Sequence, residues 1–330
     1  MLRAVKRVAI AALALIACGE DTPPALTFVA VTMNTGTSAG QAHNSPPDDG
    51  YDSDDADISD MYYGDGLAWV DAVDAATAFF AEVQPDIVGF QEIFYSGECA
   101  NIPVEAHRKF VCEDWTAGDP TVAQVILGAG YQVACHLGKP DKCIGVRRAF
   151  GTIRGCDADL CLDGLDGAPV ADCGSGSRVG RGVVDLADGS ASITVVNLHG
   201  TSGLTEHDIG CRVQQYEQVF VDLDREPAAN GAANLVLGDL NSDPGRFVGQ
   251  EDSATRFADF AGDGKPFRFI TDVGPDAEPS YQGALNIDHV VSDVFDGSCW
   301  TAGVTDGHPN VIEAVYFDHK PIVCTVAGDP

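Results

Sequence analysis

The sequence predicts an α/β domain, and two observations carry that expectation. Apolar runs too short for helices, among them Leu26–Met33, Ile87–Phe90 and Asn234–Leu237, recur along the chain and read as buried strands. Between them lie stretches with apolar residues at helical spacing, the clearest at Leu67–Val83 and from about Glu206 to Asp224. A chain of 330 residues, 45% of them hydrophobic, is long enough to bury one large core. No repeat period runs through it, which argues against solenoids and propellers.

From the N-terminus, LTFVAVTM at Leu26–Met33 is a strand that ends in Asn34. Residues 35–66 form a polar insertion dense in Asp48, Asp49, Asp52, Asp54, Asp55, Asp57 and Asp60. It lacks the glycine and closing Glu of an EF-hand loop, so a solvated acidic loop is the expectation. Leu67–Val83 is an amphipathic helix stopped before Pro85, and the strand Ile87–Phe90 then leads to Glu92. In the Cys- and Gly-rich region 98–180, Thr121–Leu127 reads as helix, and Gly145–Ile153 reads as one strand carrying Arg147 and Arg148. Gly182–Leu186 and Ala191–Leu198 read as a hairpin across Ala187-Asp188-Gly189-Ser190, whose second strand delivers Asn197 and His199. The following helix sets Arg212 and Gln215 one turn apart. Strands are then expected at Asn234–Leu237, before Asp239 and Asn241, and at Ile287–Val291, which carries Asp288 and His289. A last pair is expected at Val311–Tyr316 and Pro321–Val326, making the domain run from residue 26 to 328.

Residues 1–17 read as an export signal. Arg3, Lys6 and Arg7 give a charged start, and Val8–Ala17 is an apolar stretch too short to span a bilayer as a helix. Leu15-Ile16-Ala17-Cys18 resembles a bacterial lipobox, in which Cys18 is lipidated and residues 18–25 tether the domain to a membrane surface. Gly19 resembles the outer-membrane sorting signal, so the expected location is the cell envelope or the medium. Of the eleven cysteines, ten remain once Cys18 is lipidated, and ten can pair fully in an oxidising compartment. Cys99–Cys112, Cys135–Cys143 and Cys299–Cys324 are plausible short-range pairs; Cys156, Cys161, Cys173 and Cys211 stay unassigned. Losing the three signal cations from nineteen leaves 16 basic against 50 acidic residues, a formal −34. Such a surface repels polyanions within about 8–10 Å, and no basic tract offers a nucleic-acid footprint.

Three motifs carry the chemistry: QEIF at Gln91–Phe94, GDLNSDP at Gly238–Pro244 and FDHKP at Phe317–Pro321. Each follows an apolar run, so Glu, Asp/Asn and Asp-His are delivered to one sheet edge. Oxygen ligands of this kind hold a hard cation such as Mg2+, with Mn2+ or Ca2+ as substitutes. A His beside a carboxylate takes the proton from an attacking water. Together they suit metal-assisted attack on a phosphate ester. Taken singly, Asp239 and Asn241 also suit the caps of a turn before Pro244, and His289 suits a structural hydrogen bond.

In order along the chain, TMN at Thr32–Asn34, Gln91-Glu92, NLH at Asn197–His199, Arg212–Gln215, GDLN at Gly238–Asn241, IDHV at Ile287–Val290 and FDHKP resemble the endonuclease/exonuclease/phosphatase superfamily. The likeness spans nearly all of the domain. It implies a four-layer α/β (α+β) sandwich, two packed mixed sheets flanked by helices. It also implies Glu92 as main metal ligand with Asn34 and Asp318 nearby, and Asp239 reaching the cation or the water. Asn241 then orients phosphate, His319 is the catalytic His held by Asp288, and His199 contacts the scissile phosphate. Met33 and Phe317 depart from the residues many members place there, which touches packing only. The family's further Tyr and Arg have candidates in Tyr131, Arg147 and Arg148. The resemblance implies a metal-dependent phosphodiesterase or endonuclease, and the signal segment implies that it is exported. A sphingomyelinase- or phosphoinositide-phosphatase-like hydrolase is the alternative, and a silent binding or adhesion module the alternative of another class. No protein partner is signalled, and a monomer is expected.

Overall fold

The computed structural model describes residues 25–37, 43–44, 50–174, 179–311 and 316–330. The signal segment, Cys18, Asp48, Asp49 and most of the strand expected at Val311–Tyr316 lie outside them. The described strands are β1 (Leu26–Asn34), β2 (Ile87–Gln91), β3 (Tyr131–His136), β4 (Lys139–Arg147), β5 (Gly151–Ile153), β6 (Leu160–Leu165) and β7 (Val179–Leu186). They continue with β8 (Ser192–His199), β9 (Asn234–Asp239), β10 (Arg268–Phe269), β11 (Asp288–Ser292), β12 (Asp296–Thr301) and β13 (Ile322–Gly328). The helices are α1 (Ser53–Ile58), α2 (Val70–Val83), α3 (Val122–Leu127), α4 (Glu206–Phe220), α5 (Pro244–Phe247) and α6 (Asp252–Ala258).

Two mixed sheets result, ordered β12-β13-β1-β2-β4-β3-β6 and β10-β11-β9-β8-β7-β5. Alternation along each strand sorts its side chains into separate cores. In β1, Phe28 and Ala30 point between the sheets, while Val31 and Met33 point outward. In β9, Leu235 and Leu237 point inward and Val236 outward. The outer face of the first sheet is covered by Val73, Ala76, Phe79 and Phe80 of α2 and Ile126 of α3. The outer face of the second is covered by Tyr216 and Val219 of α4 and Phe257 of α6. Central strands are therefore buried on both faces, which is why they read as unbroken apolar runs. Helix, sheet, sheet, helix: this is the expected four-layer sandwich. Gly89 marks how closely the sheets approach, since a Cβ there would lie 1.8 Å from Leu237 Cδ1.

Three local expectations are corrected. Gly145–Ile153 is not one strand: the chain turns after Arg147, so β4 stays in the first sheet and β5 joins the second. The acidic insertion is not simply a solvated loop. Asp52 caps α1 and Asp55 returns the bond, forming a capping box. Asp55 is buried and ion-paired to Lys109 Nζ at 2.8 Å, while Tyr51 and Tyr63 are buried in the outer core. The helix expected from Leu67 starts at Val70, and the one expected to reach Asp224 ends at Phe220.

The cysteines pair as Cys99–Cys112, Cys135–Cys143 and Cys299–Cys324, as expected, and also as Cys156–Cys161 and Cys173–Cys211. Cys173–Cys211 pins the loop before β7 to α4. No helix among the described residues is long and apolar enough to cross a membrane.

Candidate active site

The inward register that fills the inter-sheet core also builds the site. Beyond the last apolar inward residue each strand turns polar: β1 gives Thr32 and then Asn34, β8 gives Asn197 and His199, and β9 gives Asp239. On β11, Asp288 precedes the inward Val290. Ladder pairing sets Asp239 between His199 on β8 and Asp288 on β11. The floor is sewn shut across the sheets, since Gln91 Nε2 donates to Asn197 Oδ1 at 2.5 Å and Asn197 Nδ2 donates to Phe90 O at 2.7 Å.

Asp239 is the hub and is fully buried. Its Oδ2 accepts from Asn34 Nδ2 at 3.1 Å and Asn241 Nδ2 at 2.8 Å, and its Oδ1 accepts from Asn241 N at 2.7 Å. His199 Nε2 and His319 Nε2 stand 3.6 and 3.7 Å from the same Oδ2. Glu92 Oε1 lies 3.6 Å from His199 Nε2, and Asp318 Oδ1 lies 3.9 Å from His319 Nε2. His319 Nδ1 is 2.8 Å from Asp288 Oδ2. All eight residues singled out in the sequence as catalytic or metal-binding thus meet in one cleft. Asn241 Nδ2 donates to both Gly200 O and Asp239, which locks Asp239 in place.

Glu92 and Asn241 take positive φ, 59° and 51°. For residues other than glycine this backbone costs of order 1–3 kcal/mol, and it turns both side chains off the ends of their strands into the cleft. Gly36 meets the opposite need. A Cβ there would sit 2.1 Å from Glu92 Oε2 and 3.1 Å from Asn34 Oδ1, so only glycine leaves room for both oxygens.

Burial pushes the Glu92 carboxyl up to about 7, with Asp318 adding to the rise and His319 and Lys142 opposing it. Burial likewise raises Asp239 and Asp318, against the charge of His319. Burial disfavours a charged His319, yet Asp288 and Asp239 outweigh it and push its pKa up to about 10. The surrounding carboxylates therefore favour the charged form of the imidazole.

A divalent cation fits this cleft. Asp239, Asp288 and His319 present ligand atoms within 4.8 Å of one another. The Nδ1 of His319 is already engaged by Asp288, however, and the donors left around the cleft are mostly oxygens. Glu92 Oε2 and Asn34 Oδ1 both lie beside Gly36. Asp318 Oδ1 and Asp288 Oδ1 are buried without a hydrogen-bond donor among the described residues. Hard oxygen donors, several of them carboxylates with raised pKa, suit Mg2+ or Mn2+.

The supporting shell was only partly visible in the sequence. Arg212 and Gln215 do brace the site: Gln215 Nε2 donates to His199 O at 3.0 Å, and Arg212 Nη1 to Thr201 O and Gly203 O at 2.8 and 2.7 Å. His289 is structural, with Nδ1 2.9 Å from Thr271 Oγ1 and Nε2 2.9 Å from Asn286 O. Tyr131, Arg147 and Arg148 are not in the cleft. They bind Pro85 O, Asp86 and Asp159, with Arg147 and Asp86 by the start of β2, opposite the end that carries Gln91. Ser280, Tyr281 and Lys142 went unnoticed. Ser280 Oγ accepts from Ile287 N and Asp288 N, both at 3.1 Å, and the Tyr281 ring lies 4.7 Å from the His319 ring. Lys142 is buried on β4 and its charge acts on Glu92. Ser280 and Tyr281 lie in a stretch without periodicity, and only the short distance to Asp288 hinted at them.

Known structures share this architecture. An endonuclease/exonuclease/phosphatase from Bacteroides vulgatus aligns over 92% of this chain and 100% of its own, at 12% identity and a TM-score of 0.53. The fold is the endonuclease/exonuclease/phosphatase fold. A family protein from Bacteroides thetaiotaomicron aligns over 93% and 99% at 13% identity and TM-score 0.52. The human Nocturnin catalytic domain, solved with a bound sulfate anion, aligns over 92% and 94% at 11% identity and TM-score 0.52. No protein-family model matches the sequence, and no match was found among curated proteins.

Proposed function

We propose that this protein is a divalent-metal-dependent phosphoester hydrolase, acting foremost on phosphodiesters in the manner of an endonuclease or phosphodiesterase. The observation that carries the reading is the His319–Asp288 pair, which faces a cluster of oxygen donors across the buried Asp239. Glu92, with Asn34 and Asp318, would hold Mg2+ or Mn2+. A cation there would neutralise charge on a non-bridging oxygen and weaken the carboxylate field that keeps His319 protonated. His319, oriented by Asp288, takes the proton of the attacking water through Nε2. His199 borders the same space and supplies a donor toward the phosphate, while Asn241, whose amide hydrogens are held by Asp239 and Gly200 O, acts by fixing Asp239.

Substrate divides the class. A nuclease competes with a lipid hydrolase of the sphingomyelinase or phosphoinositide-phosphatase kind, and the formal net charge of −31 weighs against long polyanions. The purified protein should be assayed on plasmid DNA, RNA, sphingomyelin, phosphoinositides and bis(p-nitrophenyl) phosphate, with Mg2+, Mn2+, Ca2+ and EDTA. Turnover that EDTA abolishes supports the reading, and full activity in excess EDTA ends it. Absence of turnover on every ester would leave the non-catalytic binding module.

We also propose that the protein works outside the cytoplasm as a monomer tethered through a lipid on Cys18. Five disulfides support an oxidising compartment. Mass spectrometry of protein from native membranes should find acyl groups on Cys18 and no free thiol. An unmodified Cys18 overturns the anchor.

A further inference from the structure

The cleft runs past Glu92 into a pocket of about 400 Å³. Its walls include Met61 and Tyr62 from the acidic insertion, Phe94, Tyr95 and Glu98 from the segment after β2, and Asp141 from β4. Among the described residues no Lys or Arg lines it. Asp141 is compensated, its Oδ2 standing 2.9 Å from Lys142 Nζ and 3.9 Å from Lys139 Nζ. Glu98 is not: its Oε2 accepts from Asn101 Nδ2 at 2.9 Å, and it forms no ion pair among the described residues. Apart from Glu92, which a bound cation would take up, the pocket therefore presents one carboxylate without an ion pair among the described residues, Glu98, beside aromatic side chains and a thioether.

Those walls are firmly held. Glu98 sits in the 3-10 turn Ser96–Asn101, which the Cys99–Cys112 disulfide ties down. Met61 and Tyr62 sit in the π-helical turn Ser59–Tyr63, anchored by Tyr63 stacked on Phe110 at 4.5 Å. The pocket's chemistry selects among substrates. A second phosphate of a polyanion would meet Glu98 with no cation to hold it. A neutral apolar group would gain burial alone. An alkylammonium group gains the carboxylate's attraction and the ring faces together.

We propose that this pocket receives the alkylammonium head group of a phosphodiester whose phosphorus sits at the Glu92–His319 centre, an inference that rests on the hydrolase reading of that centre. The probes are p-nitrophenyl phosphocholine and its isostere with a 3,3-dimethylbutyl group, in which carbon replaces the charged nitrogen. The choline ester should be favoured in kcat/KM by roughly two- to five-fold, the range expected of one solvent-accessible cation–π and charge contact. Glu98→Gln and Tyr62→Leu should each move that ratio toward one. Equal kcat/KM for the two esters, or a preference for thymidine 5′-p-nitrophenyl phosphate over the choline ester, overturns the proposal and leaves the hydrolase reading standing. If no ester is turned over, bis(p-nitrophenyl) phosphate included, the hydrolase reading falls. Choline and 3,3-dimethylbutanol, titrated into the same protein and followed by their own NMR line widths, then decide the pocket. Tighter binding of choline that Glu98→Gln weakens supports it, and equal binding overturns it.

Discussion

His319 holds its Nδ1 2.8 Å from Asp288 Oδ2 and turns its Nε2 toward Asp239, 3.7 Å away. One nitrogen is fixed in place and the other faces the reaction space, so the two residues act as one unit. His319→Ala should lower turnover roughly a hundred- to ten-thousand-fold, the usual worth of a positioned acid–base group. Adding Asp288→Ala should cost little more, because losses within one unit do not add. Steady-state kinetics of both single variants and the double variant measure this. Additive losses, with His319→Ala near wild-type turnover, would move the base elsewhere, and His199 would be examined first.

Asp288 is also among the carboxylates that raise His319. Removing its charge lowers the His319 pKa, so a base that must be neutral becomes available at lower pH. At saturating Mn2+, the acid limb of the turnover profile in Asp288→Asn should lie about a unit or more below that of the wild type. Its plateau should fall between wild type and His319→Ala, since orientation is weakened. An unmoved limb would mean that another group sets the profile.

Cation binding should compete with protons. Glu92 titrates near 7 without metal, and Asp239 is raised as well. Below that pH each displaced proton raises the half-saturating Mn2+ concentration about tenfold per unit. Electron paramagnetic resonance of free Mn2+ between pH 5.5 and 8 would show it. Stability follows with its own sign. The raised carboxyls stabilise the metal-free fold fully below their ordinary range near 4, and that contribution is lost as pH rises through 7. His319 adds a loss in the same direction, present below 6.5 and gone above about 10. The Tm in EDTA should therefore drop from pH 5 to pH 8, and Mn2+ should remove most of the drop. A Tm in EDTA that stays flat across this range would show that the carboxylates are not held against their charge.

The strands that position the site were legible because they are buried on both faces. Val31, Val88 and Val236 leave no doubt about an apolar run, and the polar residue at or just past the end of the strand is a site residue. Asn34, Asp239 and His199 were found in that way. What the sequence did not mark was anything set by backbone geometry or by a neighbour distant along the chain. Arg147 and Arg148 looked like phosphate binders, yet each is spent on a local Asp. Tyr281 reaches His319 only because the loop before β11 folds back, with Gln282 N donating to Asp318 O at 3.0 Å. The acidic insertion misled for a similar reason: composition announced charge, while Tyr51, Tyr63 and the α1 cap decided that part of it packs.

Glu92→Gln separates metal binding from folding. The side chain keeps its size and loses the charge that burial penalises. Turnover should vanish, the metal-free Tm should hold or rise slightly at pH 8, and the Tm gain on adding Mn2+ should shrink. Calorimetry with and without Mn2+ reads all but the first. A retained full Mn2+ shift would remove Glu92 from the ligand set.

Arg212 and Gln215 lie one turn apart on α4, yet their loss should read differently. Arg212 is fully buried, and besides its bonds to Thr201 O and Gly203 O its Nη2 donates to Glu251 Oε1 at 2.8 Å and its Nε to Ser253 Oγ at 3.0 Å. Arg212→Ala strands a largely buried Glu251, a loss of about 3–5 kcal/mol. Its activity should return when the assay is cooled below its lowered Tm. Gln215 instead holds the catalytic loop itself. Its Oε1 accepts from Thr201 N at 2.8 Å while its Nε2 donates to His199 O. Gln215→Ala leaves those two backbone groups unpaired, costing about 1–3 kcal/mol, and frees His199 to shift against Asp239 and Glu92. Turnover should fall tenfold or more at temperatures where the variant is fully folded, with KM changed less. If Gln215→Ala instead lowers Tm while kcat stays at the wild-type value, the pair packs α4 against the sheet and does not position His199.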